Sequence, residues 1–389
     1  MISDVVVIGG GIVGASCAYY LTRAGVKVHL IEKGSIGCGA SKAGMMHIVS
    51  WEEPEIHLKL GRESKKLYKE LNQELTLPIE FRQTGSIAIL EHEDQFNTFA
   101  VTVKRLQDWG VKCQLLDNQE IIKREPNIAP DIAGGAYFEE DGQVNPLYAT
   151  LALIQACRDR GAMIESFCEV TGFEFNSEKN RVTAVLTNKG RKPAGAVVIA
   201  AGAWSGKVGE FAGLDIPVQP RRGNLAVTVP VPDDLINCKV LLAASYMDTV
   251  HSGGSAGVSV AANIQQAGNG NLILGSSRQF VGFDTEVDPM IVAKMLDQCL
   301  RFFPILKDIS VIRTWMGFRP YTPDLLPIIS PIDTIDGMYV ATGHEGIGIT
   351  EGPITGKLIS QMITKQPVAF SLEAVSFSRF KKNKKTKER

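Results

Sequence analysis

No two of the seven cysteines in this 389-residue chain are spaced CxxC. That scatter argues against a zinc site, an iron–sulfur cluster within the chain and a disulfide framework. No metal is therefore expected, and the thiols should be reduced and mostly buried. No apolar run approaches the roughly eighteen residues of a membrane-spanning helix. Residues 1–14 also lack the basic start and cleavage site of a signal peptide, so a cytoplasmic protein with no membrane span is expected. No catalytic triad, paired carboxylates or internal repeat stands out. The formal net charge is −1, and no nucleic-acid partner is expected. That balance hides an asymmetry, because residues 379–389 carry seven basic side chains and one acidic. A basic tail (373–389) on an acidic body is usually solvated, with docking on a partner subunit as the alternative.

What the chain does have begins at once. Residues 3–32 read SDVVVIGGGIVGASCAYYLTRAGVKVHLIE. The β-branched run at 5–8 suits a strand buried on both faces. Gly9, Gly11 and Gly14 follow at GxGxxG spacing: a tight turn, close backbone approach to a pyrophosphate, and close packing of the next helix. That helix, over 12–24, would present its N–H groups and positive dipole end to phosphate from Ile12 and Val13. Gly25 stops it, and a second strand over 26–31 ends in Glu32, whose carboxylate can accept from ribose hydroxyls. Together these elements predict a dinucleotide-binding unit.

A glycine- and serine-rich loop, KGSIGCGASKAGMM, comes next, long enough to predict a functional role around phosphates and a ring system. Helices are expected over 56–75, 91–109, 118–124, 147–160, 289–303 and 350–363. Strands are expected over 79–90, 136–144, 163–170, 196–201, 218–229, 271–275 and 338–341, with a hairpin over 173–187. The α/β pattern is left near residue 78, regained at 146, left at 217 and regained at 330. The expected organisation is thus a Rossmann-like α/β domain (1–77, 146–216, 330–372) and a discontinuous α+β, mixed-sheet substrate domain (78–145, 217–329).

The fingerprint, the stretch GFRPYTPDLLPII (317–329) and the stretch ATGHEGIGITEGPITGKLI (341–359) together resemble the D-amino acid oxidase-like superfamily of FAD-dependent amine oxidoreductases. Its members include glycine oxidase, the sarcosine oxidases, D-amino acid dehydrogenases and the β subunits of dye-linked proline and hydroxyproline dehydrogenases. The resemblance covers residues 3 to about 372 in order.

It implies FAD as cofactor, with Glu32 and Lys33 at the adenosine ribose and Gly39, Ala40, Ser41, Ala43, Gly44 and Met45 along the pyrophosphate and flavin. Val170 would meet the adenine edge, and Ala201 and Gly202 would sit near the cofactor. Gly343, His344, Gly346, Ile347, Gly348, Ile349 and Thr350 would set a helix amino end against the flavin pyrimidine ring, where reduced flavin gains negative charge. His344 is either catalytic or a turn residue. Arg319 would fork the substrate carboxylate; its alternative is a structural ion pair with Asp324. Gly317 stands where monomeric sarcosine oxidase carries its tethering cysteine, so the flavin should not be covalently bound by that route. Arg278 stands where that enzyme places a lysine over the flavin.

The implied reaction is oxidative dehydrogenation of a small amino acid or secondary amine, by hydride transfer to flavin N5 to give an imine. Proline, hydroxyproline, glycine, sarcosine and D-amino acids are the candidates. The chain would serve as the catalytic subunit of a heteromeric dehydrogenase with an electron-accepting partner subunit. The alternatives are a free-standing, peroxide-producing oxidase and a non-catalytic FAD-binding subunit.

Overall fold

The structure is a computed structural model that describes residues 3–49, 54–244 and 258–380. The run of basic residues from 381 onward lies outside the described residues.

Strand Ser3–Ile8 is the centre of the first sheet. Val5, Val6 and Val7 are buried on both faces, as a continuous β-branched run requires. Gly190–Ile199 and Val28–Ile31 flank it in parallel, followed outward by Met338–Thr342 on one side and Met163–Glu165 on the other. Ile328–Pro331 closes one edge antiparallel, and Val170–Phe175 and Val182–Thr187 form a meander onto Gly190–Ile199. Helix Ile12–Arg23 packs between Pro146–Asp159 and Gly348–Ile363. The first and last helices approach so closely that a Cβ on Gly356 would stand 2.3 Å from the carbonyl carbon of Ser16. Asn145 starts helix Pro146–Asp159 by accepting from the N–H of Tyr148, with Pro146 in its first turn.

The second sheet has eight strands in the order Val311–Tyr321, Gln219–Pro230, Asn271–Arg278, Ser259–Gln266, Val240–Ala243, Ser86–Leu90, Gly134–Phe138, Cys113–Asp117. All neighbours are antiparallel except Val240–Ala243 beside Ser86–Leu90. Helix Pro289–Phe302 covers one face, burying Met295, Cys299 and Phe302 with Ile264, Leu272 and Leu274. Asp288 caps it by accepting from the N–H groups of Met290 and Ile291.

Several expected elements change shape. The strand expected over 79–90 is confined to Ser86–Leu90, and that over 136–144 is two strands, Gly134–Phe138 and Gly142–Gln143. The latter pairs with His47–Ile48, beyond the glycine-rich loop, and that loop itself contains a short helix, Ala40–Ala43. The segment expected as a strand over 163–170 is one only at Met163–Glu165. Among the described residues, six strands have no counterpart in the sequence reading: His47–Ile48, Cys113–Asp117, Val240–Ala243, Ser259–Gln266, Val311–Tyr321 and Ile328–Pro331. Ser259–Gln266 conceals itself because Asn263, Gln265 and Gln266 are fully buried, which removes the apolar–polar alternation of an ordinary strand.

Candidate active site

The turn after the first strand is built for close approach. Gly9 has φ +112°, and a Cβ there would stand 2.3 Å from the carbonyl oxygen of Ala200. A Cβ on Gly14 would stand 2.0 Å from the carbonyl oxygen of Gly9, so this glycine holds helix to turn. The N–H of Ile12 is not left for a phosphate; it donates to Oγ of Ser41 at 2.9 Å, which fastens the glycine-rich loop over the helix start. Glu32 is oriented by two backbone donors, Gly10 to Oε2 (2.7 Å) and Gly34 to Oε1 (2.8 Å).

A cavity of about 480 Å³ joins this turn to the second sheet. On the far side, Gly317 leaves no room for any side chain, because its Cβ would stand 2.6 Å from Cβ of Ala43. Two residues on, the guanidinium of Arg319 lies back over Gly223 of the neighbouring strand and donates through Nη1 to the carbonyl oxygen of Ser277 at 3.0 Å.

Beside it, Glu345 Oε1 is shared among three guanidiniums: Arg221 Nη1 at 3.4 Å, Arg278 Nε at 3.4 Å and Arg319 Nε at 3.9 Å. The N–H of Glu345 donates to the carbonyl oxygen of Pro320, tying this left-handed turn (φ 44°) to the arginine strand. Burial opposes ionisation of Glu345, but Arg278, Arg319 and Arg221 outweigh it and hold its carboxyl below the usual range. Among the described residues, the three guanidiniums thus converge on the carboxylate of Glu345. Arg221 and Arg278 are 1% exposed, whereas Arg319 lines the cavity. Of these three arginines, Arg319 is the one that an anionic group in the cavity can reach.

Both histidines on the cavity wall are neutral. His344 is buried with Nε2 2.9 Å from Oγ1 of Thr355, and burial and His57 push it down to about 3. His47 is pushed down to about 4 by burial and by Arg319 and Arg278. Two aromatic side chains, Trp204 after the first-sheet strand Gly190–Ile199 and Phe318 on the second sheet, line the cavity together. Trp204 stacks on Phe283 at 4.9 Å and meets Phe318 edge-on at 5.9 Å, and Lys33 Nζ lies 3.9 Å over the Trp204 ring.

The cavity brings together Gly9, Gly11, Ile12, Val13, Glu32, Lys33, Gly39, Ala40, Ser41, Ala43, Gly44, Met45, Val170, Ala201, Gly202, Gly317, Arg319, His344, Gly346, Gly348 and Ile349. Gly14, Gly343, Ile347, Thr350 and Arg278 stand outside its lining. Gly343 (φ +82°) sits against Thr322, and the hydroxyl of Thr350 lies 3.3 Å from both the N–H of Val49 and the carbonyl oxygen of His47. Arg278 is buried, with Nε 3.4 Å from Oε1 of Glu345. Asp324, the alternative partner of Arg319, pairs instead with Arg379, 2.7 Å from its Nε. His47, Glu345, Trp204, Lys207 and Phe318 also line the cavity. Sequence reasoning missed them; the only signal was that His47 directly follows the glycine-rich loop and Glu345 sits within the C-terminal glycine segment.

Comparison with known proteins decides the family, since the model described as FAD dependent oxidoreductase matches residues 4–362. This chain belongs to that family. The oxidoreductase is similar to glycine oxidase of Geobacillus kaustophilus, 29% identical over 97% of each chain. It is likewise similar to hydrogen cyanide synthase subunit HcnC of Pseudomonas aeruginosa, 27% identical over 97% of this chain and 96% of the relative. Among solved structures, L-proline dehydrogenase from P. horikoshii superposes with a TM-score of 0.90 at 27% identity, covering 98% of each chain. FAD is thus the cofactor of this chain, and the cradle fits it: bare glycines where a Cβ would collide, and an oriented Glu32 carboxylate at the end of the second strand. Among the described residues, no helix is long and apolar enough to cross a membrane.

Proposed function

We propose that the oxidoreductase dehydrogenates a small amino acid or secondary amine at the carbon bearing nitrogen, with the substrate carboxylate held by Arg319. The observation that carries this reading is the position of Arg319. It is a planar cation on the wall of the same cavity that holds the nucleotide fingerprint, charged in a cluster where Glu345 is already shared. FAD bound there would supply the two-electron oxidising power for dehydrogenation at that carbon. The chain's own contribution is orientation. Burial holds both wall histidines well below neutral pH, so neither is suited to take the proton of an ammonium group.

For the assembly, the reading is a catalytic subunit of a heteromeric dehydrogenase that hands its electrons to a partner polypeptide. The HcnC relative, a subunit of a synthase, and the L-proline dehydrogenase neighbour support it. The glycine oxidase relative favours the second reading, a free-standing oxidase. Free cysteines throughout support a reducing compartment, the cytoplasm.

The test is anaerobic bleaching of the flavin by a panel of proline, hydroxyproline, glycine, sarcosine and D-amino acids, each beside its decarboxylated analogue where one exists. Bleaching by amino acids in preference to the analogues is expected. A flavin that no member reduces would sink the proposal.

A further inference from the structure

His47 lines the cavity, and its ring is fixed from behind. The N–H of Met46 lies 2.7 Å from Oε1 of Gln265. A backbone N–H can only donate, so the acceptor end of that amide is settled. The Nε2 of Gln265 therefore faces His47 Nδ1 at 2.8 Å and Asn263 Oδ1 at 3.0 Å. An amide nitrogen donates, so Nδ1 accepts, and the single proton of the neutral imidazole resides on Nε2. A second proton on Nδ1 would set two donors face to face. Burial and the charges of Arg319 and Arg278 oppose it as well. Nε2–H has no hydrogen-bond partner among the described residues.

We infer that Nε2–H of His47 is a second donor to the substrate carboxylate beside Arg319, and that Gln265 is the positioning residue that fixes its tautomer. This rests on the reading of the site as one for carboxylate-bearing amines. The consequence is chemical as well as geometric. A ring whose Nδ1 is already occupied as an acceptor, and whose Nε2 already carries a proton, has no lone pair left to take a proton from the amine. His47 is a binding group and not the base. It adds a hydrogen bond without adding charge, so carboxylate binding should not vary with pH across the neutral range.

The experiment uses the full-length, FAD-loaded protein and acetate, a carboxylate that cannot be oxidised, titrated against the flavin absorbance between pH 6 and pH 8.5. Wild type should bind acetate with a Kd that does not change over this range. His47→Ala should raise the Kd about tenfold, as expected for one hydrogen bond to a charged group, with FAD content unaltered. Gln265→Glu supplies the readout that a merely structural role would not move. A carboxylate there accepts from Nδ1–H, so the neutral ring would turn an acceptor toward the ligand, and only the imidazolium would donate from Nε2. Acetate binding should then become pH-dependent, tight at low pH and weaker as pH rises. An unchanged Kd in His47→Ala, or a pH-independent Gln265→Glu, overturns the inference while leaving the carboxylate reading intact. Failure of wild type to bind any carboxylate overturns both.

Discussion

A Cβ on Gly223 would stand 2.0 Å from Nη1 of Arg319. The bare backbone of one strand is therefore the bed on which the guanidinium of the next one lies. Gly223→Ala must push the guanidinium aside, and Arg319→Lys keeps its charge but loses the planar fork. Either change should weaken a carboxylate-bearing substrate by about 1.5–3 kcal/mol, roughly ten- to hundred-fold in KM. Steady-state dye reduction with an amino acid and with its decarboxylated analogue checks this: the analogue's KM and the FAD content should not move. Equal losses for both compounds would show that Arg319 does not meet the carboxylate.

One FAD should bind per chain without a covalent link. Gly317 not only lacks a nucleophile; Ala43 fills the space a side chain would need. Acid precipitation should leave the yellow colour in the supernatant. Flavin retained in the protein pellet would disprove this.

Glu125 gives a pH dependence of stability. It is 1% exposed, accepts from the N–H groups of Asn237 and Cys238, and its carboxyl is pushed up to about 7 by burial, which those hydrogen bonds only partly oppose. A carboxyl that binds its proton more tightly when folded contributes most below the unfolded value of 4.5, and that contribution is lost as pH rises through about 7. Relative to Glu125→Gln, which cannot ionise, wild type should lose on the order of 3 kcal/mol of unfolding free energy between pH 4.5 and pH 7.5. Urea titrations of both proteins across that range measure the difference. Parallel pH profiles would refute the assignment.

The destination of the electrons separates the two assemblies. After anaerobic reduction of the isolated chain, admission of air should cause only slow reoxidation, whereas an artificial dye should reoxidise the flavin rapidly. Reoxidation by oxygen within one turnover, with stoichiometric peroxide, would instead make the chain a free-standing oxidase.

The fingerprint was legible because its chemistry is local. Gly9, Gly14 and Glu32 act within one strand–helix–strand unit, and each glycine is explained by contacts a few residues or one strand away. The arginine cluster was not. Arg221, Arg278 and Glu345 come from three separate segments and meet only after Gln219–Pro230, Asn271–Arg278 and the turn before the last helix are assembled. His47 was hidden for the same reason, since its tautomer is set by Gln265. That partner lies on Ser259–Gln266, the strand whose buried amides removed its own periodic signal. Local pattern reports backbone state and turn chemistry, whereas the ionic and tautomeric state of a side chain belongs to the tertiary fold.

The close seating of the last helix against the first has a consequence for biosynthesis. Ser360 Oγ donates to the carbonyl oxygen of Tyr20 across a separation of 340 residues, and Gly356 rests on Ser16. The opening strand and helix leave the ribosome long before the surface that covers them exists. At about 5–20 residues per second, that wait is on the order of tens of seconds. Throughout it the face of the first helix that the last one covers lacks that cover. The wall of the nucleotide pocket contributed by residues 341–349 is synthesised long after the glycine turn it faces, so the pocket is complete only once that segment exists.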